Sequence, residues 1–138
     1  MSKDQKVLLE INNLCKHYPI RKGLLSKIAG YVYAVDGVSF TIYEGETLGL
    51  VGESGCGKST VGRTILRLLD PTAGEILWRG ERIDELSRAE MRPYRKEIQA
   101  VFQDPYSSLN PRMRAADIVS EPLRNFEKLT QEEGRERV

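Results

Sequence analysis

Between positions 52 and 60 the chain reads Gly52-Glu53-Ser54-Gly55-Cys56-Gly57-Lys58-Ser59-Thr60. Three glycines in six residues let a loop turn its backbone N–H groups inward and approach an anion closely. Gly52, Ser54, Gly55, Cys56 and Gly57 are the residues whose backbone would line such a cradle. Lys58 adds a point charge suited to the β- and γ-phosphates of a nucleotide, and the Ser59 hydroxyl is a ligand for Mg²⁺. Thr60, in the first turn of a following helix, adds a phosphate contact. That helix would present free N–H groups and the positive end of its dipole. Cys56 is read as a small side chain at a position that tolerates variation.

A glycine-rich turn with an exposed lysine has the same composition, so the flanking elements decide. Thr47 to Val51 is a short, nearly continuous apolar run bounded by glycine, the pattern of a buried parallel strand. Lys58 to Leu69 carries Val61, Ile65, Leu66 and Leu68 or Leu69 at helical spacing, and Asp70-Pro71 stops it. A strand before and a helix after are what a phosphate loop requires.

The rest of the chain supplies the surroundings. Val7 to Ile11 reads as a first strand, Tyr18 to Gly30 as a loop or insertion, and Val35 to Ile42 as a second extended stretch ending at Glu44-Gly45-Glu46. Thr72-Ala73-Gly74 reads as a turn and Glu75 to Arg79 as a strand. Ser87 and Glu90 form a capping box that opens a charged helix through Lys96, while Ile98 to Phe102 returns to strand. Asp104 to Arg112 is a loop, and Ala115 to Phe126 a helix broken or kinked near Pro122. Thr130 and Glu133 form another capping box close to the last residue, Val138, so the sequence reads as the front of a longer domain.

Composition narrows the class. The chain has 138 residues, 40% hydrophobic and 30% charged, with a formal net charge of +1. That is enough for one domain with a core, and it lacks the basic excess of a nucleic-acid binder. Glu90 and Glu97 interrupt the basic stretch from Arg88 to Lys96, which reads as a solvated face. Two cysteines, Cys15 and Cys56, do not make a disulfide scaffold and fit a reducing cytoplasm. The polar start MSKDQK is not that of a signal peptide, and no apolar run reaches the length of a membrane span.

The loop itself is a Walker A sequence, and its neighbours carry a more specific resemblance. Val35-Asp36-Gly37-Val38-Ser39-Phe40, then Glu44 through Thr60, then Pro71-Thr72-Ala73-Gly74-Glu75-Ile76 and Val101-Phe102-Gln103-Asp104-Pro105 follow in the order of an ABC transporter ATPase. Phe102 to Arg112 resembles the ATPases of oligopeptide, dipeptide and nickel importers. So does Ala34 to Phe40 after a basic insertion, Arg21 to Tyr33, that is typical of the second ATPase subunit in such importers.

The resemblance implies an α/β P-loop NTPase core with an antiparallel β part at residues 1–105, and the start of a helical subdomain at 106–138. It implies ATP and Mg²⁺ as cofactors. It makes Lys58 and Gln103 catalytic, with Gln103 sensing the γ-phosphate through Mg²⁺ and the attacking water, and Ser59 and Gln103 the metal ligands. Tyr18 would stack on adenine; Tyr33 is its rival, and the place of Lys16-His17-Tyr18 after the first strand favours Tyr18. His17, the only histidine, precedes the Walker loop and reads as a surface residue.

Implied partners are transmembrane permease subunits, a second ATPase subunit, identical or paralogous, and indirectly a solute-binding protein. No nucleic acid is implied. The place would be the cytoplasmic face of the membrane, held peripherally, and the function ATP-driven uptake of peptides or related solutes. The family's signature sequence Leu-Ser-Gly-Gly-Gln, an apolar run ending in Asp after Lys58, and a downstream histidine do not occur in these 138 residues. The alternative is therefore a nucleotide-binding fragment without turnover.

Overall fold

Residues 5–23, 26–104, 109–127 and 129–138 are described by a computed structural model, and they group into two units, one up to Pro93 and one from Tyr94 onward. In the first unit β1 (Val7–Lys22) and β2 (Lys27–Tyr43) run antiparallel, β3 (Ala73–Trp78) pairs with the other edge of β1, and β4 (Glu81–Arg82) closes the sheet in the order β2-β1-β3-β4. The side chains of a strand alternate between faces, so Leu9 and Ile11 share one side. Ile11 stands opposite Phe40 on β2 and Ile76 on β3. Ile11, Ile76 and Ile83 are buried together with Leu14, Val35, Val61 and Met91. Each such side chain contributes roughly 1.5–3 kcal/mol on leaving water.

The β3–β4 turn is Arg79-Gly80, both with positive φ (50° and 85°). Two such residues make the hairpin turn whose twist matches its strands. Just beyond it the buried Asp84 accepts the Ile76 N–H at 2.9 Å and an Arg82 Nη2–H at 2.7 Å. Burial works to raise this carboxyl, but the Arg82 guanidinium and the Ile76 N–H outweigh it and hold it below the ordinary range.

The segment from Tyr18 to Gly30, expected as a loop, belongs largely to the hairpin. Tyr18 pairs with Val32, Ile20 with Gly30 and Lys22 with Lys27, and the Ser26 N–H donates to the Gly23 carbonyl at 3.1 Å. Tyr18, Ile20, Ile28 and Tyr31 are aromatic or β-branched, and extending a ladder already begun pairs the backbone groups that face each other across the two strands.

Two expected strands carry no ladder. Thr47 to Val51 belongs to no strand, with Leu48, Leu50 and Val51 exposed by 43, 47 and 90%; Val101, in the stretch Ile98 to Phe102, is 92% exposed. A parallel strand is held by neighbours on its edges, and no described residue pairs with either segment. The sheet observed is therefore wholly antiparallel.

The helix after the glycine loop, α1 (Lys58–Ile65), lies against β1 and β2 and buries Val61 and Thr64. It stops short of the expected Leu69 because Arg67 is left-handed, with φ 52°. That turn sends the guanidinium to the Ile83 and Leu86 carbonyls, both at 3.0 Å, and to the Asp70 carboxylate at 2.8 Å. The Ser87 capping box forms, with the Ser87 N–H donating to Glu90 at 2.8 Å, but no α-helix follows. Pro93 lacks an N–H and disfavours helix in the residue before it, leaving only a 3₁₀ turn at Tyr94–Lys96.

In the second unit α2 (Ala115–Glu127) runs on through Pro122, and α3 (Gln131–Glu136) packs against it. The Thr130 capping box is complete: Thr130 Oγ1 accepts the Glu133 N–H at 3.3 Å and Glu133 Oε2 accepts the Thr130 N–H at 2.8 Å. Gly134 lets the helices approach, since a Cβ there would lie 3.3 Å from Ser120 Cβ. Asp117 accepts two bonds from Arg135, at 2.7 and 2.9 Å, and one from Gln131 at 3.3 Å. The Arg135 guanidinium holds the Asp117 carboxyl well below the usual range, at about 2. The reading of Asp104 to Arg112 as a loop falls partly on residues 105–108, outside those described.

Candidate phosphate site

The loop from Gly52 to Gly57 joins the apolar Thr47–Val51 segment to the first turn of α1. Gly52, Gly55 and Gly57 have φ of 154°, 85° and 98°, values that L side chains rarely adopt. Gly57 is the N-cap of α1 and supplies no side-chain bond to the helix end, so the first-turn N–H groups have no side-chain cap. Such an end attracts anions, through its N–H groups and through the helix dipole.

Lys58 folds back across this loop. Its Nζ donates to the Gly52 carbonyl at 2.7 Å and to the Glu53 carbonyl, and lies 3.4 Å from Cys56 Sγ. The ammonium is thus held against the loop by neutral acceptors, which a phosphate oxygen would outcompete for its charge. Ser59 is exposed and Thr60 half-buried, both in the first turn of α1. Val61 and Ile65 on the same helix, with Phe40 and Leu48, line a mostly apolar cavity of about 420 Å³ that Lys58 and Ser59 reach at one side.

The loop rests on β2 through one contact that the residue pattern does not announce. Register shifts in the β1–β2 ladder leave Ala34 without a partner between the pairs Lys16–Val35 and His17–Tyr33. Gly57 comes so close to the Ala34 carbonyl that a Cβ on residue 57 would lie 2.2 Å from its oxygen. Tyr33, which adjoins Ala34, is 63% exposed, and its ring packs edge-on against His17 with centroids 4.5 Å apart. Tyr18 is 37% exposed under the Lys16 ammonium, 5.2 Å from the ring centroid. The same stretch of ladder therefore carries both aromatic candidates and the carbonyl on which the loop rests. His17 is half-buried, and its Nε2 lies 3.0 Å from Asp36 Oδ1.

Gln103 lies in the second unit, exposed and outside any helix or strand. The structure thus gathers Gly52 to Thr60 in the first unit, with Tyr18 and Tyr33 on the sheet of that unit.

Residues 35–137 match the ABC transporter family. This chain belongs to that family. Among curated relatives it is 51% identical over 136 residues to the oligopeptide transport ATP-binding protein AppF of Bacillus subtilis, covering 98% of this chain and 41% of that one. It is 50% identical over 121 residues to the glutathione import ATP-binding protein GsiA of Escherichia coli, covering 88% of this chain and 19% of that one. Among solved structures it resembles the dimeric bacterial ABC transporter cassette MJ0796, with a TM-score of 0.75 at 30% identity, over 94% of this chain and 53% of that one. The post-hydrolysis dimer of the same cassette, bound to ADP and Pi, gives a TM-score of 0.73.

The chain therefore spans about two fifths of the AppF relative's length. Members of the ABC transporter family bind nucleotide, and this chain shares the P-loop ATPase fold of their cassettes. No helix among the described residues is long and apolar enough to cross a membrane.

Proposed function

We propose that this chain carries the ATP-binding face of an ABC importer subunit that couples ATP hydrolysis to the uptake of peptides or related solutes. The observation that supports it most directly is the loop itself: three positive-φ glycines open onto a helix end with no side-chain cap, beside an ammonium that, among the described residues, is held by neutral acceptors. The 51% identity to an oligopeptide transport ATP-binding protein supports the solute class.

The donor set fits Mg-ATP. N–H groups and an ammonium suit phosphate oxygens, and the Ser59 hydroxyl is the hard oxygen ligand that Mg²⁺ prefers. ATP supplies the phosphoanhydride bond whose cleavage drives the cycle. Lys58 exchanges its loop carbonyls for phosphate oxygens and offsets their charge. Gly52, Ser54, Gly55, Cys56 and Gly57 bind through backbone N–H groups, and Thr60 adds a contact from the first helical turn. Tyr18 offers a flat face to the base, with Tyr33 as its rival. Gln103 takes the sensing role that its place after Val101-Phe102 implies in this family.

The partners in this reading are permease subunits, a second ATPase subunit and, through them, a solute-binding protein, with the subunit peripheral on the cytoplasmic face of the membrane. Turnover needs an acidic Mg²⁺-binding strand and a signature sequence that these 138 residues do not contain. For this stretch of chain by itself, the reading is nucleotide binding without hydrolysis. The test of the whole is solute uptake by the assembled transporter. Lys58→Ala is expected to abolish uptake and ATPase activity together, and uptake unaffected by that substitution would overturn the proposal.

A further inference from the structure

We propose that Cys15, His17 and Asp36 form a binding site for a divalent transition metal of borderline softness, with Zn²⁺ the best match. Cys15 and His17 lie two apart on β1, so their side chains emerge on the same face of the strand. Asp36 reaches them from β2, just beyond the irregular stretch of ladder around Ala34. The thiol, imidazole and carboxylate donor atoms all lie within 4.8 Å of one another. Around tetrahedral zinc, the edge between an imidazole nitrogen and a carboxylate oxygen is about 3.4 Å, and that between a sulfur and an oxygen about 3.6 Å, from the usual bond lengths. Here His17 Nε2 is 3.0 Å from Asp36 Oδ1, and Cys15 Sγ is 3.8 Å from the same oxygen. Two of the three donor separations are thus close to those around tetrahedral zinc, and the third lies within 4.8 Å.

Two further observations favour a ligand role for the sulfur and the ring. The Gly37 N–H donates to Cys15 Sγ at 3.2 Å, the kind of outer contact that orients a thiolate on a metal. The His17 backbone is fixed by Thr72, whose Oγ1 accepts the His17 N–H at 2.9 Å. Access is open: the Asp36 side chain is 65% exposed, leaving room for water as a fourth ligand, while that of His17 is 19% exposed. The S, N, O set suits zinc more than Mg²⁺ or Ca²⁺, which take oxygen ligands. Binding would replace the Cys15 thiol proton, releasing it to solvent, and would staple β1 to β2 beside the carbonyl on which Gly57 rests.

The experiment titrates the protein with Zn²⁺ against a chromophoric chelator, and with Co²⁺ as a spectroscopic probe. Expected are one ion per chain, a proton released on binding, and a sulfur-to-cobalt charge-transfer band with tetrahedral d–d bands. Cys15→Ser should remove the charge-transfer band while Cys56→Ser keeps it, which assigns the thiolate. His17→Ala and Asp36→Asn should each weaken Zn²⁺ at least tenfold. Asp36→Asn preserves size at an exposed position, and far-ultraviolet circular dichroism confirms that each variant remains folded. Zinc bound equally well by folded Asp36→Asn and His17→Ala, or a cobalt band that follows Cys56, would overturn the site, as would no Zn²⁺ binding by the folded protein.

Discussion

Replacing Gly57 with alanine should damage the fold well beyond what the same change does at Gly55. Both glycines have positive φ, 98° and 85°, so an alanine at either position costs about 1–2 kcal/mol in backbone strain. Only at Gly57 does the new Cβ meet something: it would lie 2.2 Å from the Ala34 carbonyl oxygen and 3.4 Å from its carbon, whereas Gly55 has nothing within 4 Å. The Ala34 carbonyl is main chain between the paired residues Tyr33 and Val35, so it cannot swing aside as a side-chain tip could. The loop or the strand must shift by about an ångström, an overpacking strain of typically 1–3 kcal/mol. The stiffening of the unfolded chain by alanine is common to both variants and cancels in the comparison. With a urea m-value near 2 kcal/mol/M for a protein of this size, the Gly57→Ala midpoint should fall about 1 M below that of Gly55→Ala. Coincident urea midpoints would refute the packing of the loop on β2, whatever the two substitutions do to nucleotide binding.

The α2–α3 pair should loosen on acidification. The Arg135 guanidinium depresses the Asp117 carboxyl to about 2 in the folded protein, below the roughly 3.9 of an unfolded aspartate. Its stabilisation is therefore fully present above about pH 4 and is lost as pH falls toward 2. Helix ellipticity followed from pH 6 to 2 should show that loss, and Asp117→Asn should lower stability at pH 6 and flatten the profile; a wild-type-like profile in that variant would remove Asp117 from the account. Arg67→Ala removes two bonds to carbonyls and one to a carboxylate from a side chain 8% exposed. A loss of about 3–6 kcal/mol in urea unfolding is expected from the two carbonyl bonds, at about 1.5–3 kcal/mol per bond to a charged group, the bond to the exposed Asp70 adding little.

How far the sequence could be read depended on whether the cause was local. The phosphate loop, α1 and the Thr130 capping box depend on neighbouring residues, and all were visible in glycine spacing, helical periodicity and one Thr-x-x-Glu pattern. The continuation of the hairpin through Tyr18 to Lys22 was missed because Pro19, Gly23 and Gly30 resemble breakers, and the pairing with Lys27 to Val32 that overrides them is not written in the composition of either segment. At Ser87 the local signal was present and the box does form, but Pro93 ends the helix before it is established.

Thr47 to Val51 shows the converse. Its apolar run is the right pattern for a central parallel strand, yet a pattern gives a ladder only where another strand supplies the bonds, and Val51 stands 90% exposed. The support of Gly57 by Ala34 and the meeting of Cys15, His17 and Asp36 both arise from irregular register between β1 and β2, which composition does not encode. Cys15-x-His17 at strand spacing was the one available hint of the latter.

The most direct measurement is equilibrium binding of Mg-ATP to this chain, by titration with a fluorescent ATP analogue and competition with unlabelled ATP. The account predicts saturable binding that Lys58→Ala weakens by roughly 10- to 100-fold, the equivalent of a charge-assisted bond of about 1.5–3 kcal/mol, in a variant that remains folded. Affinity unchanged in folded Lys58→Ala, or no saturable binding by the unsubstituted chain, would contradict it.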